Sequence, residues 1–442
     1  MKKYCFHVLS AVSFLAILFA SLAGKAQTPV TLQQAVDLAY SHSPQILKAR
    51  SSAEEASWKR VEAQATYLPT LTGSVNYLAD KRYMLTDVTL PSSPAPITIP
   101  QIVPTTIYSL TAQYNLFDGL ASTNRFLSAR KFESAGQKES DWARFRVARE
   151  IQLQFYKVLA SKTLKEVASA NVKVLEDHLK DVGNFRKAGI STNYDVLRVE
   201  VQVSEARSEL MNAEDNVLIG EGRLGEALGE EAAFDPQGEL PVPKPEMIAK
   251  LDDRDVESRP DLAAMALKTE GMDDLATAAS RHWVPRVSLF GTYQFYNNRT
   301  NETFNNEDFR EAYQVGVALT WNFFDGFSQM AKSGQALEQK RQTDLSLRQA
   351  RLKAKQDVDL WKRKFQYNCA VFRSRQSDVE KASESVRLAK EGRRVGARTE
   401  TDLLDAEAEL HRAKAGAVNA QIGALEALIN LELATGRNLS QL

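Results

Sequence analysis

The side chains that most often carry out catalysis are few and far apart in this chain of 442 residues. A catalytic site brings an acid, a base or a nucleophile together with groups that stabilise the reacting charge. The sequence has no glycine-rich phosphate loop, no zinc-ligand spacing and no nucleophile elbow. Its histidines are scattered, at His7, His42, His178, His282 and His411. We therefore expect no enzymatic activity, no cofactor and no metal site.

Two arginines stand where an apolar side chain is expected. Apolar residues step by three and four along two predicted helices: Val172, Leu175, Leu179 and Val182 in one, Val379, Ala382, Val386 and Ala389 in the other. Arg186 and Arg393 are the next residues of these two series. A cation at a core-facing position costs stability unless it has a partner. The alternative is that both arginines lie at frayed helix ends and extend into solvent.

These two arginines are equivalent positions of an internal repeat. Residues 115–119 read Asn-Leu-Phe-Asp-Gly, and residues 322–326, 207 positions later, read Asn-Phe-Phe-Asp-Gly. Earlier in each copy the offset is 216, because the connection between the two strands of the second copy is nine residues shorter. The predicted segments are a signal peptide at 1–26, a first repeat at 27–235, a linker at 236–257 and a second repeat at 258–442.

The start of the chain is typical of a secretory signal. Lys2 and Lys3 precede the mostly apolar run Val8–Ala23, and Gly24-Lys25-Ala26 resembles a cleavage site. An uncleaved membrane anchor is the alternative, although the run is shorter than the span of about 20 residues that a bilayer requires. After cleavage Cys369 is the one remaining cysteine, because Cys5 is removed, so no internal disulfide can form.

Charge and hydropathy argue against two further classes of protein. Basic and acidic residues balance at 56 each, which gives no reason to expect a nucleic-acid partner. No later segment is a continuous apolar run of spanning length, so insertion into a membrane as helices is not predicted.

Each repeat contains one long helical hairpin, predicted at about 120–228 and about 327–436. The first helix of each hairpin has about 65 residues, which corresponds to a length on the order of 100 Å. Apolar residues recur at steps of three and four through Val196–Ala227 and again through Leu403–Ala434. A sustained seven-residue repeat predicts left-handed supercoiling against a neighbour. An ordinary soluble coiled coil would show the same period.

Each repeat also contains two strands, predicted at about 69–78, 107–117, 285–296 and 313–324. One side of each strand is apolar and the other is polar without charge, and the length of about 10–12 residues is enough to cross a bilayer when tilted. Aromatic residues lie toward the strand ends, as in an interfacial belt: Tyr108, Tyr114, Tyr293, Phe295, Tyr313, Trp321 and Phe323. A soluble sheet packed on helices is the alternative for any single strand. Together with export, the pattern predicts membrane strands.

Four strands cannot close a barrel. Strand edges are not tolerated in lipid because their amides would have no partners, and single-chain barrels begin at eight strands. Two copies would give eight strands and three would give twelve. Because side chains nearly fill an eight-stranded barrel, a conducting pore favours three or more copies.

In the order of these elements the chain resembles the TolC family of outer-membrane efflux ducts, over residues 28–437. The matching residues are the helix-to-strand entries at Pro69 and Pro285, the strand-to-helix exits at Asp118, Gly119, Asp325 and Gly326, and the two hairpin tips at 187–197 and 394–406. The resemblance implies a mostly α, α+β membrane protein built from a duplicated helix–strand–strand–helix–helix unit. It implies a trimer, with a 12-stranded β-barrel in the outer membrane of a Gram-negative cell continuous with a long periplasmic α-helical coiled-coil barrel.

The function implied by the resemblance is that of an exit duct in a tripartite efflux or type I secretion system. The implied partners are two sister copies, a periplasmic adaptor, an inner-membrane transporter of the RND, ABC or MFS type, and outer-membrane lipid. The duct would conduct drugs, small toxic molecules or secreted polypeptides passively. A non-conducting, periplasm-spanning tether or adhesin is the alternative.

The resemblance also assigns roles at the tips. Asp402 and Asp405 match carboxylates that ring the periplasmic entrance, Arg398 matches a gate-latching arginine, and Arg393 stands where the family has a gate tyrosine. In three copies six crowded carboxylates would attract cations, and some of their pKa values would be raised. The alternative for the aspartates is stabilisation of a helix start. The expected adaptor contacts are Gly189, Ile190, Ser191, Thr192, Gly396, Ala397 and Thr399, with the two glycines in left-handed reversals.

Overall fold

The computed structural model describes residues 28–80, 84–89, 91, 95–101, 103–248, 251, 259–297 and 309–439. The predicted signal peptide and part of the predicted linker lie outside these residues. Within them the elements are β1 (Thr28–Val30), α1 (Leu32–His42), α2 (Pro44–Ala65), β2 (Thr70–Tyr77), β3 (Met84–Val88), β4 (Ile97–Gln101), β5 (Thr106–Phe117), α3 (Ala121–Lys187), α4 (Asn193–Leu228), β6 (Phe234–Pro236), α5 (Pro260–Ser280), β7 (Arg286–Asn297), β8 (Arg310–Thr320), α6 (Ser328–Arg394) and α7 (Glu400–Thr435). The predicted class, mostly helical with two sheet-forming strands per repeat, is confirmed.

The chain divides into two compact units, and each unit draws on both repeats. Of the described residues, one unit contains those within 28–52, 137–263 and 348–439, and the other contains those within 53–136 and 264–347. No helix of the described ranges carries an apolar stretch long enough to cross a bilayer.

The second unit holds an antiparallel four-stranded sheet in the order β2-β5-β7-β8. Thr70 lies opposite Gln113 in the first repeat, and their copies Arg286 and Thr320 lie opposite each other in the second. Tyr77 opposite Thr106 is likewise matched by Tyr293 opposite Tyr313. The duplication seen in the sequence is therefore kept residue for residue in the strand register.

This register places the apolar side of all four strands on one face, because residues directly opposite each other share a face. The apolar face contains Leu71, Val75, Tyr77, Tyr108, Leu110, Tyr114, Val287, Leu289, Tyr293, Phe295, Tyr313, Val315, Val317 and Leu319. The other face is mostly polar without charge, with Thr72, Ser74, Ser109, Thr111, Gln113, Ser288, Thr292, Gln294 and Gln314. A sheet that packs on helices through one side would bury its apolar face. The apolar side chains of β8 are instead exposed, so this sheet does not pack in that way.

The corners between strand and helix explain the predicted Asp-Gly pairs. The Asp118 carboxylate accepts a hydrogen bond from the Ser122 backbone N–H at 2.8 Å, and in the second repeat Asp325 does the same for Gln329 at 3.0 Å. Each carboxylate thus stabilises the start of a 67-residue helix. The following glycine, Gly119 or Gly326, adopts a positive φ of 71° or 67°. Pro69 and Pro285 immediately precede β2 and β7, at the opposite corners.

Two features of the strands differ from the sequence expectation. The proline-rich connection between β2 and β5 contains a further hairpin, β3–β4, with Thr98 Oγ1 donating to Asp87 at 2.6 Å. Its strands have only five residues each, and the surrounding prolines obscure the short β-branched run in Ile97–Gln101. The second difference is that β8 ends at Thr320, four residues before the predicted end at 324.

The other unit is built around two apolar clusters. The first joins Val30 and Phe234, from the parallel pair β1–β6, to Ile151, Leu224 and Ile429 of the long helices. The second surrounds Phe365 and includes Leu428 and Leu431. Because α7 contributes to both clusters, it connects the two repeats in the core of this unit.

One ion pair in this core is buried. The Glu432 side chain is 0% exposed, and its Oε2 lies 3.1 Å from Nε of Arg149. Its Oε1 accepts a hydrogen bond from the Leu439 backbone N–H at 2.7 Å. Arg149 also donates to Gln152 at 2.5 Å. The carboxylate near the end of α7 is thus paired with an arginine of α3, in the first repeat.

We predict that Glu432→Gln destabilises this unit by about 3 kcal/mol, because removing one charge of a buried pair leaves the other uncompensated. The matched control is Glu426→Gln, six residues earlier on the same helix, where a side chain 44% exposed lies 3.6 Å from Lys157. An exposed pair of this kind is worth under about 1 kcal/mol. Thermal unfolding in detergent measures both variants, and equal losses would contradict the prediction.

Candidate functional site at the hairpin tips

Both helical hairpins reverse through a left-handed glycine. Gly189 and Gly396 have φ values of 75° and 72°. The Ile190 N–H donates to the Phe185 carbonyl at 2.9 Å, and the Ala397 N–H donates to the Gly392 carbonyl at 2.8 Å. These bonds satisfy carbonyls that the last helical turn leaves free. The two tips therefore have the same backbone, as the repeat predicts.

The helix that follows each tip starts with the same capping box. The Thr192 N–H donates to the Asp195 carboxylate at 2.8 Å, and the Asp195 N–H donates back to Thr192 Oγ1 at 3.2 Å. Thr399 and Asp402 repeat both bonds at the same distances. The backbone N–H of Thr399, and then its hydroxyl, lower the pKa of Asp402. In a single copy the ionised Asp402 carboxylate is therefore part of the capping box. Crowding by carboxylates of sister copies would have to overcome the hydrogen bonds that lower its pKa.

The other two entrance residues taken from the resemblance have different surroundings. Asp405 is exposed, one turn after Asp402 on α7. Arg398 is also exposed, and the aliphatic part of its side chain covers Gly392, where an added Cβ would lie 2.6 Å from Arg398 Cγ. Asp405 is thus free of any role in the cap, while Arg398 packs on the end of the preceding helix.

Arg393 has the partner that its position requires. Its Nε lies 2.6 Å from Glu400 Oε2, and its Nη2 lies 3.7 Å from Asp181 Oδ2. The guanidinium also stands 5.8 Å from the centre of the Phe185 ring. The copy-related Arg186, in contrast, is exposed, as the alternative of a solvated helix end describes. The two equivalent arginines therefore differ in environment.

A buried histidine, which sequence reasoning missed, completes this cluster. His178 is 4% exposed, and its Nδ1 lies 2.6 Å from Glu400 Oε1, close enough for an ion pair but not aligned as a hydrogen bond. Its Nε2 has no hydrogen-bond partner among the described residues. Its spacing was the available signal, because Leu175, His178 and Val182 also step by three and four.

Burial acts in opposite directions on the two groups of this pair. It lowers the pKa of His178, and the nearby Arg393 charge lowers it further. Burial raises the pKa of Glu400, although Arg393 opposes that shift. Glu400 thus depends on Arg393 for its negative charge, and His178 is held neutral above its lowered pKa.

The cluster joins three helices. His178 and Asp181 lie on α3, Arg393 lies on α6 and Glu400 starts α7. The groove beside it, of about 520 Å³, is lined by Val174, Asp177, His178, Asp181, Phe185, Lys390, Arg393, Arg394, Leu403 and Glu407. Within the described residues no group of three or more His, Cys, Asp or Glu side chains is arranged to hold a metal ion. The chemistry available here is a set of ionic links between the two hairpins.

Apolar packing supports these links. Leu404 of α7 joins Val182, Val196, Val199 and Val203 of the first hairpin in one buried cluster. Val386, Ala389, Leu403 and Ala406 form the matching cluster inside the second hairpin.

A family comparison decides what kind of protein carries these tips. The model of the outer membrane efflux protein family matches residues 35–230 and 254–437. The chain belongs to this family. This efflux protein is an outer-membrane duct of the type that serves tripartite pumps, and its family is one of channels rather than enzymes. The two matched ranges fall on the two repeats, which agrees with the duplication read from the sequence.

Solved structures show the same fold at low sequence identity. The efflux protein is similar to the outer membrane protein VceC from Vibrio cholerae, with 16% identity, a TM-score of 0.74, and coverage of 92% of this chain and 96% of that one. The Campylobacter jejuni CmeC outer membrane channel has 14% identity, a TM-score of 0.75, and coverage of 93% and 88%. The open state of the Neisseria gonorrhoeae MtrE outer membrane channel has 18% identity, a TM-score of 0.74, and coverage of 92% and 89%. No curated protein matches the chain.

We predict that the tips of the efflux protein loosen as the pH falls below 6.5, the ordinary pKa of histidine. Because folded His178 has a lowered pKa, the unfolded tip binds a proton first, and stability is lost as the pH falls toward the folded value. The raised pKa of Glu400 has the opposite sign, but only between 4.5 and its folded value.

Hydrogen exchange at the two tips, followed from pH 7.5 to 5.5, measures this loss. His178→Asn is expected to remove most of the pH dependence. The control His42→Asn changes a histidine that is half exposed, and should keep the response of the unmodified protein. Identical pH profiles for His178→Asn and the unmodified protein would contradict the assignment of the pH dependence to His178.

Proposed function

We propose that three copies of this efflux protein form one duct, with a 12-stranded barrel in the outer membrane and a helical tunnel extending into the periplasm. Drugs, small toxic molecules or secreted polypeptides would pass through it passively. An inner-membrane transporter would supply the energy and select the substrate, and a periplasmic adaptor would connect the two. The observation that carries this proposal is the sheet, which has one mostly apolar face, one mostly polar face and two open edges.

The open edges support more than one copy. Within the described residues β2 and β8 each have one hydrogen-bonded neighbour, so each leaves a row of backbone groups without a partner. In lipid such groups cost several kcal/mol each when unpaired. Closing the sheet through sister copies satisfies all of them. Twelve strands leave an open lumen, whereas the side chains of an eight-stranded barrel nearly fill it.

The faces support the placement of water and lipid. Hydroxyl side chains on the polar face hydrogen-bond to each other across strands, as in Ser74 with Ser109 at 2.7 Å. Such a face is compatible with a water-filled lumen. The exposed valine, leucine and tyrosine side chains of β8 on the opposite face suit hydrocarbon.

The tips support the roles of entrance and docking surface. Asp402 and Asp405 would form the carboxylate ring of a narrow entrance, and Arg393 and Arg398 would hold it closed. The residues proposed to contact the adaptor are Gly189, Ile190, Ser191, Thr192, Gly396, Ala397 and Thr399. Ile190 is 77% exposed although it is apolar, which is expected of a docking surface.

Recording from planar bilayers tests the duct. We expect the purified protein to conduct, with a preference for cations that Asp405→Asn weakens, because Asp405 adds charge without capping a helix. Asp195→Asn is the control, because it damages the equivalent cap of the other tip. A tether or adhesin would give no conductance, even after Arg393→Ala. Unchanged ion selectivity in Asp405→Asn would show that Asp405 does not line the entrance.

Adaptor docking is tested at the two reversals. Valine at both Gly189 and Gly396 is expected to reduce recovery of the cognate adaptor at least tenfold, because a β-branched residue strains a positive φ. Asparagine at the same positions tolerates that conformation and serves as the matched control. Co-purification after crosslinking measures the recovery. Equal yields from the valine and unmodified proteins would place docking elsewhere.

A further inference from the structure

The four strands of the sheet carry three charged side chains. β2 and β5 contain no charged residue, β7 begins with Arg286, and β8 begins with Arg310 followed by Glu311. All three side chains are exposed in the single chain. Because a charge is costly in hydrocarbon, the face of the sheet on which each one lies decides what it can do.

The strand register puts both arginines on the polar face. Arg310 lies opposite Tyr296, which is ten residues after Arg286 along β7. Residues an even number apart on one strand share a face, and so do residues directly opposite each other. Both arginines are therefore on the face that also carries Thr292, whereas Glu311 is on the apolar face. Within the four strands, the charge of the polar face is positive only.

This placement separates two roles that an arginine at a strand end can have. A guanidinium near the membrane surface can bind the phosphate of a lipid, but the side chain must then lie on the face that meets lipid. In the duct proposed above that is the apolar face. The polar face lines the lumen, so each arginine contributes one member to a ring of three.

One carboxylate lies near the first of these arginines. Asp325 and Arg286 line the same groove at the corner between β8 and α6. The Asp325 carboxylate accepts a hydrogen bond from the Gln329 N–H at 3.0 Å, and no ion pair joins these two described side chains. The guanidinium of Arg286 is therefore not neutralised by a bonded partner.

The size of the barrel decides whether such rings act on passing solutes. Twelve strands about 4.8 Å apart and tilted by about 40° form a cylinder about 12 Å in radius at the backbone. The Debye length at physiological ionic strength is about 8 Å. Because arginine side chains extend inward from the wall, the whole cross-section lies within about one Debye length of a guanidinium.

The two rings are far enough apart to act separately. Arg286 and the residue opposite Arg310 are ten residues apart on one strand, which at about 3.4 Å per residue is about 34 Å. This separation is several Debye lengths. A solute that crosses the barrel thus meets one positive ring near each end.

We propose that Arg286 and Arg310 form two rings of positive charge in the lumen of the barrel, and that these rings favour the passage of anions. Rings of arginine or lysine are the device by which pores select anions. The class of exported solute that fits is an organic anion, whose carboxylate, sulfonate or phosphate group a guanidinium attracts. This inference rests on the proposed duct, and its charge is opposite in sign to that of the carboxylates at the proposed entrance.

Reversal potentials in planar bilayers under a potassium chloride gradient test the rings in the full chain. The double variant Arg286→Gln with Arg310→Gln is expected to raise the permeability ratio of potassium to chloride by about twofold or more, because the lumen loses its positive charge. Lysine at both positions keeps the charge and should keep the ratio. The matched control is Glu311→Gln, because this neighbour of Arg310 lies on the other face and should leave the ratio unchanged.

Cysteine modification tests the position of Arg310 independently. In the chain carrying Cys369→Ala, Arg310→Cys should react with the anionic reagent 2-sulfonatoethyl methanethiosulfonate, and the added sulfonate should raise the ratio above that of Arg310→Gln. Glu311→Cys is the control on the other face, and its current should not change. The Cys369→Ala chain without a further cysteine controls for the reagent.

The outcomes separate this inference from the proposed function. A raised ratio in the glutamine variant, with no change in Glu311→Gln, supports the rings. An unchanged ratio in a conducting double variant overturns the rings and leaves the duct intact, and so does an equal effect of Glu311→Gln. Asp405→Asn acts at the entrance and is expected to lower the same ratio, so the two effects have opposite signs. If the unmodified protein does not conduct, the duct is overturned and this inference falls with it.

Discussion

An unpaired strand edge is the constraint on which the rest of this structure depends. A sheet in water can leave its outer amides to the solvent, but in hydrocarbon the same groups have no partner. Four strands are too few to close a barrel, so in the proposed ring their edges would direct assembly as well as folding. In the proposed ring, the polar and apolar faces would then determine which side of the closed sheet meets water and which meets lipid.

The long helices meet a different constraint, because in the proposed duct they would have to combine close packing with the opening of an entrance. In the unit that contains the tips, apolar clusters of mostly small and β-branched residues hold the helices together. The ionisable side chains of His178 and Glu400 lie at the end of this packing, where burial lowers the pKa of the histidine and raises the pKa of the carboxyl group. Arg393 lies beside them, 2.6 Å from Glu400. Such a group of ionisable side chains is stable in one protonation state and weaker in the other, which would suit the proposed entrance.

Much of the fold could be predicted from the sequence because two periods, of two and of three to four residues, recur in both repeats. The reversals at Gly189 and Gly396 were predictable for a local reason, since a tight turn needs a positive φ. The His178–Glu400 contact could not be predicted in the same way, because it joins residues 222 positions apart on different helices. Asp402 shows a further limit: the sequence allows either an entrance carboxylate or a helix cap, and in one copy the cap is what the hydrogen bonds show. The hairpin β3–β4 was missed because prolines outweighed a weak local pattern.

The two hairpin tips differ at one charged position. Glu400 follows the reversal of the second hairpin, whereas the equivalent position in the first hairpin is Asn193, which carries no charge. Arg186 consequently lacks the acidic residue that Arg393 contacts on the other side of the reversal. A ring of copies would therefore present two alternating kinds of tip, one with Arg393 paired to Glu400 and one with Arg186 exposed, with half the rotational symmetry that its backbone suggests. A protein that binds such a ring through six identical segments would contact two chemically different sets of sites.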